Sequence, residues 1–320
     1  MGSGPRCQSI GTDLKNLRYE CNWTSLHGSG PRARTHGLRS ARIQVAEMVF
    51  EGDNTDMDII TEIGDLAQYK GCAFVPTMGA LHEGHLSLIR EAKKLHKPIV
   101  VSIFVNPEQF APNEDFETYP RSLEQDSTFA EAAGATVVFA PAVQTMYPDS
   151  SPTINLPPAA TEAKLEDAFR PGHFRGVCLA VARLFDLVQP TAAIFGEKDY
   201  QQFLVIEQMA EQQKTRWNNL HIIAAPNIRD DDGLAMSSRN VFLSSDQRSQ
   251  ALAIHRALDE PTQQKMVEML DQYGLDIEYA VIRDEKTLLD PIAGKPIRAL
   301  IAAKVGNVRL IDNCRRECTL

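Results

Sequence analysis

The segment Ile99–Val105, IVVSIFV, leaves a chain few ways to fold. It carries no charge, and β-branched residues dominate it, as expected of a strand buried on both faces. Shorter apolar runs stand at Ala73–Val75, Ala135–Phe139, Ala192–Phe195 and His221–Ala224. Helical stripes separate them. Leu88, Ile89, Ala92 and Leu95 form one. A second segment opens with the capping-box spacing Ser122–Gln125 and closes at Gly134. Val177, Val181, Leu184 and Val188 stop before Gln189-Pro190, and Phe203, Leu204, Ile206 and Met209 form the last. Met57–Ile60 reads as an edge strand and Ile63–Tyr69 as a short helix. Strands alternating with helices predict an α/β fold, a parallel sheet with helices on both faces.

The texture changes at Asn240. Ser244–Gln247 is another capping-box spacing, opening a helix to about Leu258, and a second helix follows Pro261 to about Tyr273. Ile277–Arg283, Arg298–Ala303 and Val308–Asp312 read as strands. The predicted organisation is a ligand-binding domain over 57–240 and a small α+β domain over 241–320. Residues 1–56 differ from both. They mix Gly, Ser, Arg and Asn without a period, and the stretch to Arg42 is basic, so we expect a disordered leader. It has no apolar core for a secretory signal. An organelle transit peptide and translated sequence upstream of a start at Met48 or Met57 both fit; the lack of an amphipathic helix favours the second.

Parallel sheets bind ligands beyond the carboxyl ends of their strands, and the polar clusters fall there. His82-Glu83-Gly84-His85 follows the strand ending at Val75, across a turn at Pro76–Gly79, and opens a helix. Strand, glycine-bearing turn and helix start gather backbone N–H groups and a positive dipole end around an anion. Two histidines three residues apart face one bound group, and Gly84 lets that group approach the backbone. This predicts a nucleotide-phosphate site. Asn106–Gln109 follows the second strand, Gly196-Glu197-Lys198-Asp199 the fourth, and Arg229–Gly233 with Met236–Asn240 the last. Lys198 suits a phosphate and Asp199 a ribose hydroxyl. Ser237, Ser238 and Arg239 offer hydroxyls and a guanidinium fork to a pyrophosphate. Arg170 and His173 supply further donors, and Gln109 and Gln202 suit a hydroxy acid.

Together these residues fit one chemistry. ATP is held by the H-x-G-H segment, Lys198 and the Ser-Ser-Arg loop; a carboxylate attacks the α-phosphorus and pyrophosphate leaves. Catalysis is then positioning and charge stabilisation, with Mg2+ carried on the triphosphate and no tightly bound cofactor. No Ser or Cys in the motifs has a base partner, which disfavours a hydrolase triad. A net charge of -9 over 320 residues argues against nonspecific nucleic-acid binding. No apolar run is long enough to span a bilayer. Six cysteines without a C-x-x-C pair point to a reduced, cytoplasmic protein; Cys314 and Cys318 lack histidine partners for a metal.

The motifs PTMGALHEGH, SIFVNPEQF, YPR, RPGHFRGV, FGEKDYQQ, DGLAMSSRN and RLIDN, in this order between Met57 and Asn313, resemble those of the pantothenate synthetases, or pantoate–β-alanine ligases. H-x-G-H alone would indicate only the wider nucleotidylyltransferase superfamily. The resemblance implies a Rossmann-like domain, a small C-terminal domain closing over the nucleotide, and a homodimer. It implies that pantoate and ATP give pantoyl adenylate and pyrophosphate, and that β-alanine then gives pantothenate and AMP. It places Met78, Gly79, Ala80, Leu81, His82, Glu83, Gly84 and His85 in the ATP loop, with His85 at the position treated as proton donor. Gly196, Glu197, Lys198 and Asp199 match a second ATP segment, Ile228 an adenine contact through its backbone, and Met236, Ser237, Ser238 and Arg239 a second phosphate loop. Gln109 and Gln202 match pantoate-holding positions, with Gln109 shared with β-alanine. Arg170 and His173 match the substrate end, and Asn106 and Tyr119 the pocket. The catalytic set is then His82, His85, Lys198, Ser237, Ser238 and Arg239.

The chain departs from the family pattern in its leader, in a shorter stretch between Leu258 and Met266, and after Y-P-R. There Glu124-Gln125-Asp126 stands where the family has a metal-contacting acidic pair; at most Asp126 fits, and no protein ligand to the metal is expected. Two other functions compete with the ligase. A related adenylyl- or cytidylyltransferase would not need Gln109 and Gln202, and a non-catalytic nucleotide-binding module would not need the catalytic positions filled.

Overall fold

A computed structural model describes residues 57–110, 116–148 and 154–317. The expected leader, 1–56, lies outside the described residues. Strands β1 (Asp58–Ile60), β2 (Ala73–Thr77), β3 (Ile99–Ile103), β4 (Val137–Phe139), β5 (Ala192–Gly196) and β6 (His221–Ala225) form one parallel sheet in the order β1-β4-β3-β2-β5-β6. The chain moves outward from β2 through β3 to β4, then returns to place β5 and β6 on the other side of β2. The order therefore reverses between β2 and β5, and a ligand crevice opens beyond their carboxyl ends.

Alternate residues of the central strands face opposite cores, as the two-residue period requires. Phe74 and Val100 pack with α5 (His173–Val188) and α6 (Tyr200–Gln212), through Phe185, Ile206 and Met209. Val75 and Val101 pack with α1 (Glu83–Lys93) and α2 (Leu123–Ala133), through Ile89, Ala92 and Ala130. The sheet is thus covered on both faces, as the apolar runs predict. Short helices α3 (Val143–Met146) and α4 (Glu166–Phe169) lie in the segment before α5.

After β6 the architecture changes. Helices α7 (Ser245–Ala257) and α8 (Gln263–Gln272) pack on an antiparallel sheet of β7 (Asp276–Asp284), β8 (Ile297–Val305) and β9 (Val308–Arg316). Their core includes Ile254, Leu258, Met266, Leu270 and Ile301. The expected capping box forms at Ser244 and Gln247. In the short stretch after Leu258, the Glu260 carbonyl accepts from Arg316 Nη1 at 2.6 Å.

Three local expectations are corrected. β2 does not end at Val75 but runs through Pro76 to Thr77. Pro76 is tolerated there because Ala73 and Thr77 turn their backbone polar groups toward β3, so Pro76 faces the β5 side, where pairing stops at Phe74. β3 ends at Ile103, two residues early, because Asn106 starts a one-turn helix, Pro107–Gln109. Ser122 precedes α2 but makes no side-chain cap bond. The helix start is secured by the Asp126 N–H to the Ser122 carbonyl at 2.9 Å.

Strand β9 ties the second sheet to the first. Asp312, 4% exposed, accepts from Arg229 Nη1 and Nη2 at 2.6 and 3.0 Å. Asn313 Nδ2 donates to the carbonyls of Glu197 and Lys198 at 2.8 and 2.9 Å. Breaking a buried ion pair strands the remaining charge, at about 3–5 kcal/mol. Asp312→Ala is therefore expected to lower unfolding free energy by about that much, read from the denaturant midpoint.

Candidate active site

The segment after β2 folds as its sequence suggests, but its donors are used differently. His82 is the N-cap of α1, and its Nδ1 accepts from the Gly84 N–H at 3.1 Å. The His85 Nδ1 reaches back to the His82 N–H at 3.4 Å. The rings lie 4.2 Å apart, centroid to centroid. Because each Nδ1 accepts, the proton of each neutral ring sits on Nε2. The Ala80 and Leu81 N–H groups both donate to Asp126, at 2.9 and 2.7 Å, and the Gly79 N–H donates to Thr77 Oγ1 at 3.2 Å. The expected gathering of free loop N–H groups is therefore corrected at these positions: internal acceptors hold them, and the loop offers imidazoles instead. Glu83 is exposed, pairs with Arg90 and lines neither cavity described below.

Burial pushes His82 down to about 4, with Lys198 adding to it. Burial, then His82 and Lys198, push His85 down to about 3. Both rings are neutral at physiological pH. Their folded values lie below the ordinary 6.5, so the unfolded chain binds more protons between that value and about 3–4. The contribution of these groups to stability is complete above about 6.5 and is lost as pH falls through that window. The rate of pyrophosphate release should then show no acid limb near pH 6.5, while the denaturant midpoint falls as pH drops from about 6.5 to about 4; parallel rate and unfolding series check both.

The segment after β5 supplies charge. Asp199 faces a cavity, which leaves its side chain 49% accessible. Enclosure raises its carboxyl, but Lys198, Arg239, His173 and Arg170 lower it further, so it sits below the usual carboxylate value. Glu197 is held by Arg298, which also contacts Glu285 and lies over the Tyr200 ring at 3.6 Å. Arg309 of β9 clamps Glu166 at 2.6 and 3.0 Å, and Tyr279 donates to the same carboxylate at 2.7 Å.

Two cavities meet here. The larger, about 760 Å³, is lined by Lys198, Asp199, Ser237 and Arg239 from the first sheet's loops and by Lys304, Asn307 and Arg309 from the β8–β9 hairpin. The smaller, about 180 Å³, is lined by Met78, His85, Asn106, Gln109, His173 and Gln202. Arg170, Asp199 and Arg239 border both. Positions from distant parts of the chain thus line two adjoining cavities, while His82 and Ser238 line neither.

The smaller cavity is built around Asn106, which is buried. Its Nδ2 donates to Gln109 Oε1 at 3.0 Å and to the Gly176 carbonyl at 3.1 Å. Its Oδ1 accepts from the Glu108 N–H at 3.1 Å and from Tyr147 at 2.6 Å. Gln109 is thereby oriented, with Nε2 toward Met78 Sδ at 2.7 Å. His173 Nδ1 donates to the Gln109 carbonyl at 2.9 Å, leaving Nε2 to accept from Arg170 at 3.1 Å.

Some expected residues stand elsewhere. Tyr119 is buried behind Phe110, ring centroids 5.9 Å apart, and borders neither cavity. The Ile228 carbonyl accepts from the Met236 N–H at 3.0 Å, across a narrow hairpin beside the cavity. Met78 lies on the smaller cavity rather than the larger. Ser237 lines the larger cavity while Ser238 opens a short helix behind it. Burial pushes the thiols of Cys72 and Cys178 up to about 12, so neither is a nucleophile. Sequence reasoning weighed Asp126 only against a metal position, and it missed Tyr147, Arg309 and the ties made by Asp312 and Asn313. Only Gly176, set just inside a helix, left a readable signal of close packing.

A family model described as Pantoate-beta-alanine ligase matches residues 55–315. A pantothenate synthetase of Pseudothermotoga lettingae is 46% identical over 270 residues, 78% of this chain and 92% of that one. A pantothenate synthetase of Dehalococcoides mccartyi is 45% identical, over 75% of this chain and 93% of that one. Among solved structures, pantothenate synthetase from Thermus thermophilus superposes with a TM-score of 0.72 at 38% identity, covering 81% of this chain and 99% of the other. Pantoate-beta-alanine ligase from Francisella tularensis, complexed with β-γ ATP and β-alanine, gives 0.67 at 34%, covering 81% and 97%.

Proposed function

The chain belongs to the pantoate–β-alanine ligase family, and from that premise we propose how its residues divide the work. The enzyme condenses pantoate with β-alanine to pantothenate through pantoyl adenylate, converting ATP to AMP and pyrophosphate. In our reading the smaller cavity holds pantoate, through Gln109 and Gln202, and the larger holds MgATP. The observation that carries this is the shared border of Arg170, Asp199 and Arg239, which sets an acid pocket lined by His85 against a nucleotide-sized hollow.

In the first step a pantoate carboxylate oxygen bonds to the α-phosphorus and the bond to pyrophosphate breaks. Lys198 and Arg239 stabilise the charge that gathers on the phosphate oxygens, with Ser237 as a hydroxyl donor. The neutral rings of His82 and His85 donate from Nε2, so His85 acts as a hydrogen-bond donor rather than as an imidazolium acid. Asp199 takes a ribose hydroxyl, and the backbone at Ile228 borders the adenine. In the second step the β-alanine nitrogen bonds to the acyl carbon, the carbon–oxygen bond to AMP breaks, and the amine sheds a proton. Gln109 serves both acids, with Arg170 and His173 at the substrate end. Mg2+ arrives on ATP and needs no cage of its own.

We place the functional division at Asn240, where the parallel sheet gives way to the antiparallel one. Residues 241–320 then cover the nucleotide and keep water from the acyl adenylate. A homodimer in the cytoplasm completes the reading, on the family likeness; no described helix is long and apolar enough to cross a membrane. The test is AMP and pyrophosphate formation with pantoate, β-alanine or ATP withheld in turn. Pyrophosphate without β-alanine, and AMP only with both acids, is expected. AMP release indifferent to pantoate would overturn the assignment.

A further inference from the structure

We propose that Asp126 is a positioning residue for the adenylation step. Its buried carboxylate fixes the turn that carries His82 by accepting from two consecutive backbone N–H groups. The inference rests on reading the His82–His85 segment as the triphosphate end of the site. Asp126 is 3% exposed and lies in the first turn of α2, where the helix dipole favours a carboxylate. Its oxygens accept across 46 and 45 residues of sequence, Oδ2 from the Ala80 N–H and Oδ1 from the Leu81 N–H, at 2.9 and 2.7 Å. The turn they hold is strained: Gly79 has φ +84° and Ala80, without a glycine's freedom, φ +51°. A left-handed conformation is unfavourable for a non-glycine residue and persists only where its surroundings fix it.

Consecutive N–H groups in such a turn form a concavity that would otherwise take an anion. Here the protein supplies the anion itself. The loop therefore delivers geometry rather than donors. Leu81 is pinned directly before the N-cap His82, and with it the entry angle of α1 and the places of both imidazoles. Gly79 belongs to the same device, since a Cβ there would stand 2.8 Å from Asp126 Oδ2. The same geometry argues against Asp126 as a Mg2+ ligand. Both of its oxygens are engaged by backbone donors.

The test compares Asp126→Asn and Gly79→Ala with wild type in single-turnover pyrophosphate release from pantoate and MgATP. Asparagine keeps the shape but turns an N–H toward one of the two donors; the alanine pushes the carboxylate away. A displacement of about 1 Å at reacting groups costs about 100-fold, so each variant should lose roughly that much in rate with the pantoate KM unchanged. The double variant should be no worse than the weaker single one, because both disrupt one contact. The half-saturating Mg2+ concentration should match wild type. Full activity in a folded Asp126→Asn protein would overturn the proposal, as would recovery of its rate in excess Mg2+. Amide exchange in the unliganded wild type decides the matter even if neither variant folds. Protection of Ala80 and Leu81 is expected, and exchange at the rate of an open loop would overturn it. A wild type that releases no pyrophosphate would refute the ligase assignment and leave the exchange result standing.

Discussion

His85→Asn should slow pyrophosphate release by about 100- to 1,000-fold, the effect of removing one donor aimed at developing charge. Asparagine places an acceptor near the position of Nδ1, so the His82 N–H keeps its partner and the start of α1 survives. What is lost is the Nε2–H. Glutamine reaches farther and can set an amide N–H near Nε2, so His85→Gln should lose less, although the cap bond goes. Alanine loses both groups and should be slowest. The residue is half-buried at a helix start, so stability should change by no more than about 1 kcal/mol. Single-turnover rates beside denaturant midpoints separate the two effects. A rate order with glutamine below asparagine would place the decisive atom at Nδ1 and contradict the tautomer assigned here.

Gly176→Ala should damage the acid pocket and lower stability while sparing the nucleotide end. A Cβ at this position would stand 2.0 Å from the Glu108 carbonyl oxygen and 2.6 Å from the Gln109 nitrogen, and all these neighbours are backbone. Helix α5 and the Pro107–Gln109 turn must separate. Overpacking of this kind costs about 1–3 kcal/mol, and more where backbone must move. The separation also takes the Gly176 carbonyl from Asn106, which orients Gln109. We expect kcat/KM for pantoate to fall by about 100-fold while the KM for MgATP stays near wild type, because Lys198 and Arg239 come from other loops. Steady-state kinetics with each substrate varied in turn, alongside a thermal midpoint, provide the check. Equal losses for both substrates would mean that the two cavities do not respond separately.

These cases mark what was legible in the sequence. The parallel sheet was, because a run such as Ile99–Ile103 can be covered only on two sides. The grouping of His85, Lys198 and Arg239 was too, because each follows a strand and strand ends converge at one rim. Boundaries slipped where backbone context decided them: Pro76 stays in β2 only because pairing with β5 on that side has already stopped at Phe74. The supporting residues were hidden. Asp126 stood out only as the one position able to match a metal contact, and nothing in its spacing tells that it meets Ala80 and Leu81. Tyr147 and Asn106 pair across 41 residues with no periodic mark. Tyr119 was placed in the pocket by likeness, but a neighbouring ring intervenes.

The ties made by β9 bear on any attempt to divide the gene. Cutting at Asn240 would follow the change of sheet, yet the upstream product would carry Arg229 without its carboxylate and Glu197-Lys198 without the amide that grips their carbonyls. Fragment complementation would therefore have to supply the last strand to recover a competent phosphate grip, and the upstream half alone would make a poor scaffold for grafting onto other proteins.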